Sequence, residues 1–161
     1  MKTALVIGGT GPSGPFLVQG LQERGYTVAI FHRGTHEIPE IPDNVEHIHG
    51  DPHFRETFDA ALAGRTFDVI VAHPPYVPAV ERAMVFRDGG EDGEQITRAI
   101  IARLSDYLRP GGLFYLDCFM SDRAGNPLEQ RIRRMIGVLP ENLGFPRQMT
   151  GLEYLTFFGR L

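Results

Sequence analysis

Lysine and cysteine are nearly missing from this chain. Its 161 residues contain one of each, Lys2 and Cys118. A single thiol excludes an intramolecular disulfide and a four-cysteine zinc site. With Lys2 as the only lysine, no lysine-dependent catalytic pair is available anywhere downstream. Excess positive charge is lacking too: the formal net charge is -4, with 20 acidic against 16 basic residues. A general phosphate-backbone binder is normally basic, so nucleic acid is not an expected partner. The longest apolar runs fall far short of a bilayer span, so no membrane partner is expected either. "MKTALVIGG" enters a strand directly, with no signal-peptide pattern, and a cytoplasmic protein is the expectation. There is no internal repeat and no low-complexity segment.

What is present is ordinary globular material. Hydrophobic residues make up 42% and charged residues 22%, enough for one domain with a real core. "TALVIGG" (3–9) reads as a buried strand ending in glycine. Residues 12–24 carry helical apolar spacing and stop at Gly25. "TVAIFHR" (27–33) and "VEHIHG" (45–50) are strands, 54–64 is a helix, and "FDVIVAH" (67–73) is the fourth strand. Residues 94–108 form an amphipathic helix, with Ile96, Ile100, Leu104 and Leu108 on one stripe. "RPGG" turns the chain into a fifth strand at 113–119. A helix follows at 127–137, and two strand-like runs flank Thr150–Gly151 as an antiparallel hairpin. The expected fold is therefore α/β: a single Rossmann-like three-layer sandwich over 1–161, with a mostly parallel sheet of order 3214576.

The chemistry-bearing motif is "VIGGTGPSGP". Gly9, Thr10, Gly11, Pro12, Ser13 and Gly14 fit G-x-G-x-x-G, while Gly8, Gly11 and Gly14 fit G-x-x-G-x-x-G. Between a strand and a helix, such a loop cradles a pyrophosphate at the helix N-terminus, where amide groups and the dipole favour an anion. NAD binders place an acid at the end of the second strand for the ribose hydroxyls. This chain has His32 and Arg33, and Arg33 suits a 2′-phosphate, which favours NADP over NAD. The missing acid also disfavours S-adenosylmethionine. Asp51, past the third strand, suits either an adenine edge or a turn.

Residues 1–72 resemble the atypical extended short-chain dehydrogenase/reductases (the NAD-dependent epimerase/dehydratase group). The resemblance is carried by "ALVIGGTGPSGPFLVQGLQERGYTVAIFHRGT", "VEHIHGD" and "FDVIVAH". It implies NAD(P) on Gly8, Gly11 and Gly14, with Arg33 beside the adenosine ribose. That family uses a tyrosine with a lysine four positions later. Tyr76, Tyr107, Tyr115 and Tyr154 are followed instead by Val80, Gly111, Phe119 and Phe158.

Residues 74–161 resemble the C-terminal half of class I S-adenosylmethionine-dependent methyltransferases, through "PPYVP", "DGGEDGEQITRAIIARLSDYLRPGGLFYLD" and the final hairpin. The N-methyltransferases of that group end the fourth strand in Asn-Pro-Pro-Tyr. Here the tetrad is His73-Pro74-Pro75-Tyr76, which leaves His73 and Tyr76 as weak catalytic candidates. The implied whole is a chimera, engineered or recombined, joined at 72–74 between a dehydrogenase-like half (1–72) and a methyltransferase-like half (73–161). It is expected to bind a small-molecule nucleotide without turnover. An S-adenosylmethionine-dependent methyltransferase with an altered motif is the alternative reading, and an NADP-dependent oxidoreductase the second.

All six histidines lie between residues 32 and 73. A metal site needs three or four convergent ligands, and alternation along the third strand brings together only His47 and His49, so no metal site is expected. "RDGGEDGE" (87–94) reads as a solvated acidic loop. "EQRIRRM" (129–135) reads as a solvated helix face with a Glu129–Arg133 pair. Cys118 reads as a buried thiol. "LTFF" near the end leaves a homodimer open.

Overall fold

The computed structural model describes residues 1–81, 84–118 and 123–136. Its elements run β1 (Lys2–Ile7), α1 (Gly14–Glu23), β2 (Tyr26–His32), β3 (Glu46–His49), α2 (Arg55–Leu62) and β4 (Phe67–Ala72). Then come α3 (Gln95–Ile101), α4 (Leu104–Tyr107), β5 (Leu108–Leu116) and α5 (Leu128–Ile136). The five strands make one parallel sheet in the order β3-β2-β1-β4-β5. That is the 32145 core of the expected order. The expected hairpin strands and "LTFF" fall in 137–161, outside the described residues.

The central strands β1, β2 and β4 are buried on both faces because they are apolar at successive positions, whereas β3 and β5 keep exposed positions. On one face Leu5, Ile7, Phe31, Ile70 and Ala72 pack with Phe58 and Leu62 of α2 and Ile96 and Ile100 of α3. On the other, Ala4, Val6, Val28, Ile30 and Val69 pack with Val18 of α1. Each such side chain taken fully out of water stabilises the fold by about 1.5–3 kcal/mol. Helices on both faces of a parallel sheet make the three layers. Among the described residues no helix is long and apolar enough to cross a membrane.

Three local expectations change. The helix expected over 94–108 is broken at Ala102–Arg103. The break lets Arg103 and the Tyr107 hydroxyl both reach Asp59 on α2, the latter at 3.0 Å, so a tertiary contact overrides local propensity. "RPGG" does not precede the fifth strand but lies inside it. Phe67 pairs with Leu108 and Val69 with Leu113, so the extra residues bulge out around Gly111 at φ +77°.

The acidic loop is solvated only in part: Glu91 is exposed, but Asp88 is 0% exposed and Glu94 2%. Glycines make this burial feasible. Gly89 donates its amide to the Val77 carbonyl, and Val77 donates to that of Arg87, which folds the loop back on the segment after β4. A Cβ at Gly89 would stand 2.7 Å from the Pro75 carbonyl oxygen. The α5 arginines are likewise not all on a solvated face. Arg133 does bond Glu129 at 2.5 Å, but Arg131 is buried and donates from Nε to Glu94 at 2.8 Å.

Candidate functional site

β1 and β4 are neighbours in the sheet, yet their connections leave toward opposite sides. This is the switch point at which an open parallel sheet forms a crevice beyond its C-terminal strand ends. A cleft of about 730 Å³ lies there. Its walls are the loop after β1 (Gly8, Thr10, Gly11, Pro12), the end of β2 (Phe31, His32, Arg33), Pro52 and His53, and the segment His73–Val77.

The glycines of the loop have different duties. Gly8 sits at φ +88° and donates its amide to the Phe31 carbonyl at 3.0 Å. A Cβ at Gly9 would stand 2.7 Å from Ile30 Cγ2, and one at Gly14 would strike the Gly9 carbonyl oxygen. The fold itself requires glycine at these three positions. Among the described residues a Cβ at Gly11 would meet only the Gly8 oxygen, at an ordinary 3.5 Å. Gly11 lines the cleft, so the packing of the chain does not explain its lack of a side chain. Behind it, α1 opens at Gly14 with no side-chain cap and no acid in its first turn. The dipole of that N-terminus is left for an anion.

Arg33 lines the cleft, and among the described residues it has no carboxylate partner. His32 lines it as well, but both of its ring nitrogens are engaged. Nδ1 accepts from the Gly34 amide at 3.2 Å, and Nε2 lies 3.0 Å from His47 Nδ1. Burial, then His47 and His49, hold the His32 pKa below its ordinary value, against a smaller opposing pull from Glu37. Asp51 belongs to a turn: its Oδ1 accepts from the His53 amide at 2.9 Å and lies 2.7 Å from His53 Nδ1.

That turn reveals a residue that sequence reasoning missed. In the neutral His53 ring, Nδ1–H donates to Asp51 and Nε2 is left an acceptor. The side chain is 3% exposed, Nε2 has no partner among the described residues, and His53 lines the cleft. The signal lay in "DPH", where an aspartate bonding two residues onward orients the ring.

His73 and Tyr76 are both in the cleft wall, with parallel rings 6.0 Å apart. His73 Nδ1 is 3.5 Å from Ser13 Oγ and 4.0 Å from Asp117 Oδ2. Ser13, Gly9 and Gly14 thus shape the loop and are not among the residues that line the cleft. Cys118 is half-buried, and burial, then Asp117 and Glu94, push its thiol up to about 11. At pH 8 native Cys118 should therefore react with iodoacetamide on the order of a hundredfold more slowly than a free thiol. Labelling at the rate of the unfolded chain would show the thiol to be accessible and ionised.

Curated relatives and solved structures point in two directions. No family model matches the chain. Over 109 residues it is 30% identical to a release factor glutamine methyltransferase from Koribacter versatilis, a match covering 60% of this chain and 38% of that protein. Over 67 residues it is 36% identical to the enzyme of the same name from Gloeobacter violaceus, covering 35% and 23%. The chain thus matches well under half the length of these relatives. In structure it is similar to a short-chain dehydrogenase family protein from Francisella tularensis, with a TM-score of 0.53 and 17% identity over 85% of this chain and 59% of that one. It is also similar to a short-chain dehydrogenase/reductase from Burkholderia multivorans with bound NADP, with a TM-score of 0.51 and 18% identity over 71% and 57%. The chain has the Rossmann fold shared with short-chain dehydrogenases and, over part of its length, a sequence similar to release factor glutamine methyltransferases of class I.

Proposed function

We propose that this chain is a composite Rossmann domain that binds a nucleotide cofactor, NADP in preference to NAD, and lacks the Tyr/Lys pair needed for dehydrogenase turnover. The observation that carries the reading is Gly11, the loop glycine that the packing of the chain does not require, beside the uncapped start of α1. Around it the groups suit a dinucleotide phosphate. The pyrophosphate lies against Thr10–Gly11 and the α1 N-terminus, Arg33 takes the 2′-phosphate, and His53 Nε2 accepts from the adenine amino group. His73 and Tyr76 line the far wall, and the one lysine of the chain, Lys2, starts β1. The same lack of catalytic parts supports the chimeric reading, with the junction at 72–74.

Thermal denaturation of the chain with NADP, NAD and S-adenosylmethionine in parallel tests the reading. A ligand at 100 times its Kd adds about 2.7 kcal/mol to the native state. For a domain of this size that raises Tm by about 5–10 °C. The expected order is NADP above NAD, with S-adenosylmethionine inert. Arg33→Ala should weaken NADP about tenfold to a hundredfold, the worth of a charged hydrogen bond, and leave NAD unchanged. Equal weakening of both would remove the 2′-phosphate role.

A second reading has its own support in the 109-residue similarity to a release factor glutamine methyltransferase. There the cleft takes S-adenosylmethionine, and Pro74 and Tyr76 flank an amide substrate. A Tm rise with S-adenosylmethionine alone would favour it over the first.

A further inference from the structure

Strand register brings together what the sequence separates. His32 ends β2 and pairs in register with His49 of β3, while His47 pairs with Ile30. Three imidazoles therefore share one face at the open edge of the sheet, since β3 is its outermost strand. The loop after β2 returns Glu37 to the same place. One ligand atom from each of His32, Glu37, His47 and His49 lies within 4.8 Å of all the others. Alternation along β3 alone gave two ligands; the neighbouring strand supplies the third and the loop the fourth.

We propose that these four residues form a binding site for a divalent zinc-like metal ion, separate from the nucleotide cleft except for the shared ring of His32. The spacing suits a tetrahedral ion. Ligands at about 2.0–2.1 Å from the metal stand about 3.4 Å from one another. Here His32 Nε2 and His47 Nδ1 are 3.0 Å apart, His49 Nε2 and Glu37 Oε1 3.3 Å, and His47 Nδ1 and Glu37 Oε1 3.7 Å. The three rings are close to mutually perpendicular, at 76°, 90° and 88°, which lets their edges converge. Three imidazoles and one carboxylate select zinc and its d-block neighbours over calcium or magnesium, which take all-oxygen shells.

The protons balance simply. In the neutral His32 ring, Nδ1 accepts from Gly34, so Nε2 carries the proton that points at His47. Binding moves that proton to Nδ1 and puts the metal on Nε2. This costs the hydrogen bond that the Gly34 amide donates to Nδ1. His47 and His49 side chains are 25% and 55% exposed, so the ion can enter from solvent and replacing either ring leaves the core intact.

The test is a zinc titration of the full chain, free of any histidine tag, against a chromogenic zinc chelator. The expected result is one equivalent bound with a micromolar or lower Kd, and at least a hundredfold weaker binding in the His47→Gln/His49→Gln double variant. The variant should melt with the parent in EDTA, and zinc should raise Tm only in the parent. Cobalt(II) in the unmutated chain gives a second readout: intense visible absorption from a tetrahedral nitrogen and oxygen shell, without a thiolate charge-transfer band. Absence of stoichiometric zinc, unchanged affinity in the double variant, or a thiolate band from Cys118 would each overturn the site.

Discussion

Replacing Glu94 by alanine is expected to destabilise the chain by about 3–5 kcal/mol, the cost of stranding a buried partner charge. Tm should fall on the order of 10 °C. Glu94 is 2% exposed and holds three arginines: Arg131 at 2.8 Å, and Arg98 and Arg123 at 3.2 Å each. Arg98 and Arg123 keep more than two-fifths of their side-chain surface in water and can turn outward when the carboxylate goes. Arg131 cannot. It is 6% exposed, and its Nε loses the Glu94 carboxylate at a site where water cannot take that place. The loss is therefore dominated by the buried Arg131 guanidinium rather than by the two half-exposed pairs. This makes the prediction specific. Arg131→Met placed on top of Glu94→Ala should recover part of the stability, because the buried charge goes with its partner. Chemical denaturation of the two single variants and the double variant measures the coupling directly. A double variant whose cost is the plain sum of the singles would show that the two residues act independently.

This cluster also marks where sequence reading stops. The β1, β2 and β4 core was legible because apolar runs of about four residues describe strands buried on both faces, and each is closed locally. The glycine loop was legible because its glycine spacing is local, although Ile30, Phe31 and His73 also hold it in place. The Glu94–Arg131 pair joins residues 37 apart in the chain. No periodicity links them, so two charge-rich stretches read as two solvated surfaces. The histidine cluster was hidden differently. Alternation predicts the faces of one strand, but His32 meets His49 only through inter-strand register, which is set by packing of the whole sheet. "RPGG" and the break at Arg103 show the same limit at smaller scale, since the local signals were real but their placement followed β4 and α2.

A pair of glycine substitutions should separate folding from binding within a single loop. Gly14→Ala is expected to cost about 3 kcal/mol, and Tm should fall by about 6–12 °C. Its Cβ would be driven against the Gly9 carbonyl oxygen, which is backbone and cannot swing aside as a flexible side chain would. Gly11→Ala should leave stability within about 0.5 kcal/mol of the parent. Among the described residues its new Cβ meets only the Gly8 oxygen at 3.5 Å, and its φ is not in the left-handed region. Restricting the unfolded chain even offers a small gain. The two variants should reverse order when ligand is added. Gly11→Ala places a methyl group where the pyrophosphate must approach the backbone, so NADP affinity should fall at least tenfold while the fold stands. Isothermal titration of the folded Gly11→Ala protein is the decisive arm. Parental NADP affinity in that protein would mean that no ligand lies against the loop, and the cleft would then have to bind by its far wall of His73 and Tyr76. A loss of NADP affinity at unchanged Tm has no account in the packing of the chain alone. It would identify Gly11 as a residue kept small for a ligand.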